Sequence, residues 1–402
     1  MNKKSIFSAI LIGVFSLALA GCGGGNSGGS STAAYGGAIP IGDYVAVTVD
    51  SANSTVTYHN YTTGVSKGPY HFVRISNFNG FRNVYQTTDP FDYSGKTNCH
   101  AKFIAMERVA LIFQIFDNNN NALDFPVYAL ARQAVNMGDY KGRAYNWMNF
   151  KINDTNGNYE AGFAAFDTDA TGHLYGAAYN DRANIESWSS HDKGVKNIND
   201  NNISTSVFAY DSGQVANKYG NLTLIGTQCG DFAIDFGPNN GAGFAVRQAA
   251  SKDWSLNYNG TYLTMVYENR PNESQKQTVE PMRVTFNGAG SFEGAKLGEQ
   301  TPLVSGTLLS LEDLPNGPHD QESPSYTITE DFERFSGCAS ALSATVKNAY
   351  KCHGGFIAET DGSKVLTFFF EPGGRFFFFN MLENSGPVYR FGFGIKDPNY
   401  QQ

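Results

Sequence analysis

Two Cys-His pairs are the residues of this chain whose type and spacing come closest to a metal site. Cys99-His100 and Cys352-His353 each open the same seven-residue pattern, C-H-x-x-F-I-A. Thiolate and imidazole are the ligands that zinc prefers, so a site shared by the two copies is one interpretation. The seven histidines otherwise show no ligand spacing, which favours a structural role at the start of two equivalent strands. The sequence therefore predicts no metal and no cofactor.

A second candidate for cation binding is the acidic turn that starts at Asp167. Asp167, Asp169 and Thr171 alternate along the chain before Gly172, and alternate oxygen side chains before a glycine suit a calcium loop. Such a loop ends in a bidentate glutamate at its twelfth position, where this chain has Ala178. We therefore expect a hairpin turn rich in Asp rather than a calcium site.

Catalytic patterns are scarce. The chain has no G-x-S-x-G nucleophile elbow, no H-E-x-x-H helix and no G-x-x-x-x-G-K-[ST] phosphate loop. The carboxylates Glu330, Asp331 and Glu333 are candidates for an envelope hydrolase, but a solvated turn is the simpler interpretation. The sequence thus predicts a protein that is not an enzyme.

Several short patterns recur along the chain and indicate internal repeats. Besides C-H-x-x-F-I-A, they include an apolar run followed by a turn, an Arg-Gln pair, and a Tyr-x-Gly opening. The copies begin at Phe116, Phe236 and Phe370 for the turn, at Arg132 and Arg247 for the Arg-Gln pair, and at Tyr140 and Tyr258 for the opening. The two arginines fit a repeated salt bridge or, less simply, a paired ligand site. Together the patterns predict a β unit that is present three times.

Composition supports an all-β fold. Aromatic residues make up 14% of the chain and charged residues only 16%, with 44 glycines, which suits short aromatic-rich strands joined by tight turns. We expect two or three consecutive antiparallel β-barrel or sandwich units formed by the internal repeats. The formal net charge is −8, and an acidic chain repels phosphate backbones, so nucleic acid is not an expected partner.

The predicted organisation has five parts. Residues 1–21 are a signal peptide and residues 22–38 are a modified cysteine followed by a flexible tether. The three β units follow at residues 39–137, 138–252 and 253–402. The tether prediction rests on a run of Gly, Ser, Asn, Thr and Ala, which buries too little apolar surface to offset the entropy lost on ordering.

The N-terminal segment resembles that of bacterial lipoproteins. It has a positive start and a short apolar core, and it ends in the lipobox Leu19-Ala20-Gly21-Cys22. The resemblance implies cleavage before Cys22, acylation of that cysteine (palmitate included) and a membrane partner held through the lipid. An aspartate directly after the lipidated cysteine resembles an inner-membrane retention signal, and this chain has Gly23 at that position instead. We therefore expect an outer-membrane lipoprotein, on either the surface or the periplasmic face.

Four cysteines are left once Cys22 is acylated, and they allow three disulfide pairings. Cys338 and Cys352 are close in sequence and are our first pair. Cys99 with Cys229 would then join the first unit to the second. Free thiols and the other pairings stay open.

Two nearly continuous phenylalanine runs mark the last unit, at residues 368–370 and 376–379. A half-buried strand alternates apolar and polar residues, and these strands do not. Both faces of this hairpin must therefore be covered. We favour packing against a neighbouring unit, and a cavity for a lipid or other hydrophobic ligand is the alternative.

The second unit has a rhythm that resembles the barrel domains of Neisserial-type surface lipoproteins. The pattern Y-x-G, G-x-A-x-F, L-x-G begins at Tyr140, Gly162 and Leu174. Those proteins bind host transferrin or factor H, and the resemblance implies an exposed binding protein. It covers part of the second unit and transfers no ligand-contacting residue.

These observations lead to three hypotheses for function. The first is a lipid-anchored outer-membrane protein that presents a non-enzymatic binding surface to a protein or glycan ligand, through exposed loops such as residues 187–202. The second is a carrier of a small apolar ligand inside a β-barrel. The third is the envelope hydrolase, for which the sequence gives little support.

Overall fold

The computed structural model confirms an all-β chain built from antiparallel sheets. It describes the following residues, which form one compact unit: 31–39, 42–76, 78–132, 144–152, 159–168, 174–176, 207–210, 222–226, 230–235, 241–248, 257–269, 277–287, 290–310, 355–360, 364–383 and 389–401. Within these ranges no helix has the length and apolar character needed to cross a membrane.

The first sheet closes into a barrel, which we call the first barrel. Its nine strands are β1 (Thr32–Ala38), β2 (Tyr44–Asp50), β3 (Thr55–Asn60), β4 (Ser66–Arg74), β5 (Val84–Thr87), β6 (Phe91–Tyr93), β7 (Lys96–Met106), β8 (Ala110–Phe116) and β9 (Ala122–Arg132). Strand β1 pairs with both β2 and β9, and β5 pairs with both β4 and β7. Strand β6 pairs with β7 alone and lies outside the ring.

The second sheet, the middle sheet, has seven described strands. They are β10 (Ala144–Ile152), β11 (Tyr159–Thr168), β12 (Leu174–Gly176), β13 (Val207–Tyr210), β14 (Leu222–Gly226), β15 (Phe232–Asp235) and β16 (Ala242–Arg247). Its first strand again pairs with its last, β10 with β16. Strands β12 and β13 stand at the two ends of the described sheet.

The third sheet forms the second barrel. Its strands are β17 (Gly260–Asn269), β18 (Gln277–Phe286), β19 (Ser291–Lys296), β20 (Val304–Thr307), β21 (Leu309–Ser310), β22 (Gly355–Thr360), β23 (Lys364–Phe370), β24 (Phe376–Glu383) and β25 (Tyr389–Lys396). Strand β17 pairs with β18 and β25. Strand β20 pairs with β19, and β21, one residue further on, pairs with β22, which completes the ring.

The first copy of C-H-x-x-F-I-A lies on β7, and the described part of the second copy, residues 355–358, lies on β22. Phe103 and Phe356, its aromatic positions, are both buried in a barrel core. The copies are nevertheless one strand out of step along the chain, because two strands of the same sheet follow β7 (β8 and β9), whereas three follow β22 (β23, β24 and β25). Similar surroundings therefore come from the shared strand geometry, and the motif does not mark equivalent strands.

The predicted tether is wrong over its last seven residues, where the chain forms β1. Thr32–Ala38 is hydrogen-bonded on one side to β2 and on the other to β9. A Cβ atom at Gly37 would lie 1.9 Å from the carbonyl oxygen of Tyr128, so this glycine permits a close approach of two strands. Composition alone cannot separate glycine used for packing from glycine used for flexibility. The unit boundaries near residues 137 and 252 lie outside the described residues.

The interpretation of the phenylalanine runs as inter-unit packing is confirmed. Successive side chains of β23 and β24 point to opposite faces of the sheet, as in any strand. One set fills the core of the second barrel: Phe368, Phe370, Phe377 and Phe379. The other set packs against the first barrel and the middle sheet: Phe369, Phe376 and Phe378.

The core between the sheets is aromatic. Phe244 of the middle sheet lies 5.6 Å from Phe378 and 5.1 Å from Phe393 of the second barrel, measured between ring centroids. Tyr128 of the first barrel is 5.6 Å from Phe391 and donates its hydroxyl hydrogen to the Met265 carbonyl at 3.2 Å. Residues of all three sheets therefore form a hydrophobic core between the sheets.

Candidate functional site

A cavity of about 410 Å³ opens at one end of the first barrel, and we call it the cup. At the opposite end β6 folds over the barrel, where Phe91 is buried and stacks on Tyr70 at 4.5 Å. Small-molecule sites in proteins occupy roughly 300–1,000 Å³. The cup has the volume of such a site.

The wall of the cup is aromatic on one side and aliphatic on the other. Phe72, Tyr85 and Phe103, from β4, β5 and β7, contact one another with centroid distances of 5.6, 5.1 and 5.1 Å. The other side, from β1 and β2, has the small side chains of Ala33 and Val49, and Ala105 follows Phe103 on the inward face of β7. Two alanines at positions that point inward leave the space that larger residues would fill.

The rim of the cup is polar because the alternation of side chains along β1, β2, β4 and β7 continues to the end of the barrel. Two positions beyond the inward residues Ala33, Val49, Phe72 and Ala105 the chain has Ser31, Ser51, Arg74 and Glu107, and all four line the cup. An apolar interior thus ends in a ring of hydroxyl, guanidinium and carboxylate groups.

Arg74 brings a cation to the rim of the cup. No carboxylate of the described residues lies within ion-pair distance of its guanidinium group, whereas Glu107 is 3.8 Å from the Arg108 Nε. Burial raises the pKa of Tyr85, the nearby Arg74 charge opposes that rise and Glu107 adds to it. Both rim charges therefore act on the same part of the cup.

Tyr35 supplies a buried hydroxyl to the cup. Its side chain is 1% exposed, and its oxygen accepts a hydrogen bond from the Arg108 backbone N–H at 3.2 Å. Burial raises the pKa of Tyr35 to about 12. The phenol therefore keeps its proton throughout the physiological range and can act as a donor.

The second barrel shows what a filled interior looks like in the same chain. Tyr262 crosses its end and donates to the Gly374 carbonyl at 2.6 Å, while Phe286 makes edge-to-face contacts with Phe368, Phe370 and Phe377. The rings of Phe377 and Phe379 lie over Gly394 and Gly392, where any Cβ would collide with them. Aromatic packing occupies the described interior of this barrel, so the two barrels differ in how their interiors are filled.

The site residues predicted from sequence mostly fall elsewhere. Cys99 is a free thiol in the core of the first barrel, so the predicted Cys99–Cys229 bond is wrong. The reason is strand phase: Cys99 shares the inward face of β7 with Ala101 and Phe103. His100 points outward and its ring stacks on Phe116 at 5.7 Å. No group of three or more metal-ligating side chains occurs among the described residues.

Other predictions lie outside the described residues or side chains. They concern Cys22, Cys229, Cys338, Cys352, His353, the side chains of Arg132 and Asp167, Asp169 to Ala178, residues 187–202, and the carboxylates Glu330, Asp331 and Glu333. Arg247 is described, and its backbone N–H donates to Asp231 Oδ1 at 2.9 Å.

The cup itself was not predicted from sequence. Its residues come from four separate hairpin ends between Ser31 and Glu107, and no local pattern joins them. A weak signal existed in β4 and β7, where an inward-facing apolar position is followed two residues later by a charge. That signal indicates a shared site only when closure of the barrel brings these strand ends together.

No protein-family model matches the chain, and no curated protein matches it. Among solved structures it is similar to a double mutant of transferrin binding protein B from Haemophilus parasuis, with 10% identity, a TM-score of 0.26, and coverage of 92% of this chain and 76% of that one. For isotype 1 of transferrin binding protein B from serogroup B Neisseria meningitidis the values are 9%, 0.24, 90% and 66%. A protein of unknown function from Nostoc punctiforme gives 7%, 0.14, 91% and 94%. Function is accordingly argued from the residues of this chain.

Proposed function

We propose that the chain is a non-enzymatic, lipid-anchored binding protein that holds a small ligand with an apolar body in the cup of the first barrel. The observation that carries this proposal is the half-open, aromatic-walled cavity in one barrel beside a second barrel whose described interior is filled by rings. Burial of apolar ligand surface against such a wall supplies binding free energy, and the polar rim sets the orientation.

Filling the cup tests this proposal. Ala105→Trp places an indole where the ligand body would lie, and we expect the affinity for the neutral fluorescent probe N-phenyl-1-naphthylamine to fall at least about tenfold, because little apolar surface is left to bury. The measurement is a fluorescence titration of the purified mature protein. Thr57→Trp, on the outer face of β3 between the inward Val56 and Tyr58, is the matched control and should bind the probe normally. Absence of probe binding to the unmodified protein would overturn the proposal.

The envelope location rests on the lipobox. Lipid on Cys22 would hold the protein at the outer membrane, so Cys22→Ala should move it from the membrane fraction to the soluble fraction after cell lysis. Protease treatment of intact cells then separates a surface position from a periplasmic one. Membrane retention of the Cys22→Ala variant would count against the anchor.

A surface for a protein or glycan ligand is the second candidate, and one exposed aromatic group favours it. Tyr61, in the β3–β4 turn, is 51% exposed and stacks on Tyr44 at 4.7 Å, with the His59 ring edge-on at 4.2 Å. Exposed tyrosines are common in binding surfaces because they bury large area at low entropic cost. Deletion of residues 187–202, with adhesion and thermal stability measured together, tests the loop part of this hypothesis.

A further inference from the structure

We propose that the ligand of the cup is an anionic amphiphile, an apolar chain or body that ends in one carboxylate, with the carboxylate at Arg74 and Tyr35. This inference rests on the proposed function, because it names the class of ligand that the same cavity would take. It is carried by two hydrogen-bond donors of the cup, the Arg74 guanidinium group and the buried Tyr35 hydroxyl, beside an aromatic wall.

The guanidinium group of Arg74 is the first of these donors. It lies two residues beyond Phe72 on the same inward face of β4, directly above the aromatic wall. Guanidinium binds carboxylate through two parallel hydrogen bonds, and such charge-assisted bonds are stronger than neutral ones. With no carboxylate of the described residues paired to it, Arg74 selects against a cationic ligand and favours an anion.

The hydroxyl of Tyr35 is the second donor. The Tyr35 oxygen accepts from the Arg108 N–H, and its own hydrogen is donated to no acceptor among the described residues. Burial raises the pKa of this phenol to about 12. The tyrosine is therefore uncharged and does not repel a carboxylate. A buried hydroxyl that lacks an acceptor costs free energy, which a ligand oxygen would recover.

The apolar wall excludes a small free anion as the preferred ligand. Phe72, Tyr85 and Phe103 offer ring surface below the rim, and Ala33 and Ala105 offer room. A ligand with only an anionic head would leave this surface in contact with water. A ligand with an apolar body covers it and gains the transfer free energy.

Glu107 discriminates between kinds of anion. It shares the rim with Arg74, is 71% exposed and is only loosely held by Arg108. A second negative charge on the ligand would be repelled by Glu107, whereas the single charge of a monoanion is balanced by Arg74. The rim therefore favours a carboxylate over a phosphate dianion.

Displacement of N-phenyl-1-naphthylamine by three ligands of equal chain length tests the inference. We expect dodecanoate to displace the probe at a concentration about tenfold lower than dodecanol, and dodecyl phosphate to be weaker than dodecanoate. Arg74→Gln should weaken dodecanoate about tenfold and leave dodecanol unchanged, since it removes the ion pair and keeps a polar side chain. Tyr35→Phe should weaken dodecanoate about threefold.

The control for charge is Lys102→Gln, which removes one cation from the outer face of the same barrel, where Lys102 donates to Asn120 Oδ1. It should leave all three affinities unchanged, and circular dichroism confirms that each variant is folded. Equal binding of dodecanol and dodecanoate, or an equal loss of both in Arg74→Gln, would overturn the inference while probe binding still supports a cup. Tighter binding of dodecyl phosphate would overturn the choice of carboxylate.

Discussion

Phe378→Ala is expected to lower the free energy of unfolding by about 3–5 kcal/mol, the cost of removing a large ring from a packed core. Phe378 is fully buried, and its ring contacts Phe369 at 5.9 Å and Phe244 of the middle sheet at 5.6 Å. The variant therefore opens a cavity between two sheets and leaves the interior of the second barrel intact. Urea unfolding followed by tryptophan fluorescence measures the effect.

Two further variants show whether the loss comes from contact between the sheets. Phe244→Ala should cost a similar amount, and the double variant should cost less than the sum, because both rings line one cavity. Tyr61→Ala, which removes an aromatic ring that is 51% exposed, should change stability by less than about 1 kcal/mol. Additive losses from Phe244→Ala and Phe378→Ala would contradict a shared core.

Strand β24 also shows which features of the fold the sequence predicts and which it does not. Continuous phenylalanines at 376–379 exclude a strand with one wet face, so a double-sided environment follows from the period of a strand alone. The partner could not be inferred in the same way, since Phe244 is a single phenylalanine among small residues of β16. Packing between distant segments has no local signature.

Strand β1 shows the opposite failure. A run of Gly, Ser and Ala predicts a tether because such residues bury little side-chain area. In this chain the same small residues let β1 lie between β2 and β9, and the first barrel closes through it. Tyr35, set among glycines and alanines, was the residue that distinguished the two cases, because a single large ring in a small-residue run needs a place to be buried.

The cup could not be predicted from the sequence, because the topology of the barrel brings its residues together. Ser31, Arg74 and Glu107 end strands that are far apart along the chain and meet only because β5 pairs with β7 and β1 pairs with β9. The alternation of side chains along a strand is predictable from the sequence, and it indicates which residues point inward. Ring closure, which decides what those inward residues face, is set by contacts distant in sequence.

Glu371→Ala is expected to cost about 3–5 kcal/mol, because it removes the acceptor of a buried ion pair. The Glu371 and Arg375 side chains are 4% and 12% exposed, and the Arg375 guanidinium donates to Glu371 at 2.6 Å through Nη2 and at 3.1 Å through Nε. The same carboxylate accepts the Arg375 backbone N–H at 3.1 Å. This pair therefore fixes the β23–β24 turn, against which Tyr262 donates to the Gly374 carbonyl at 2.6 Å.

The decisive comparison is with Glu280→Ala and with a variant that lacks both partners. Glu280 and Lys296 form a pair of similar length, 3.1 Å, but their side chains are 43% and 41% exposed, so its loss should cost less than about 1 kcal/mol. In Glu371→Ala the guanidinium stays buried without its carboxylate, whereas Glu371→Ala with Arg375→Leu removes the charge as well. The double variant should therefore be more stable than the single one in thermal and urea unfolding. If the double variant is no more stable, the cost arises from the turn geometry and not from a stranded charge.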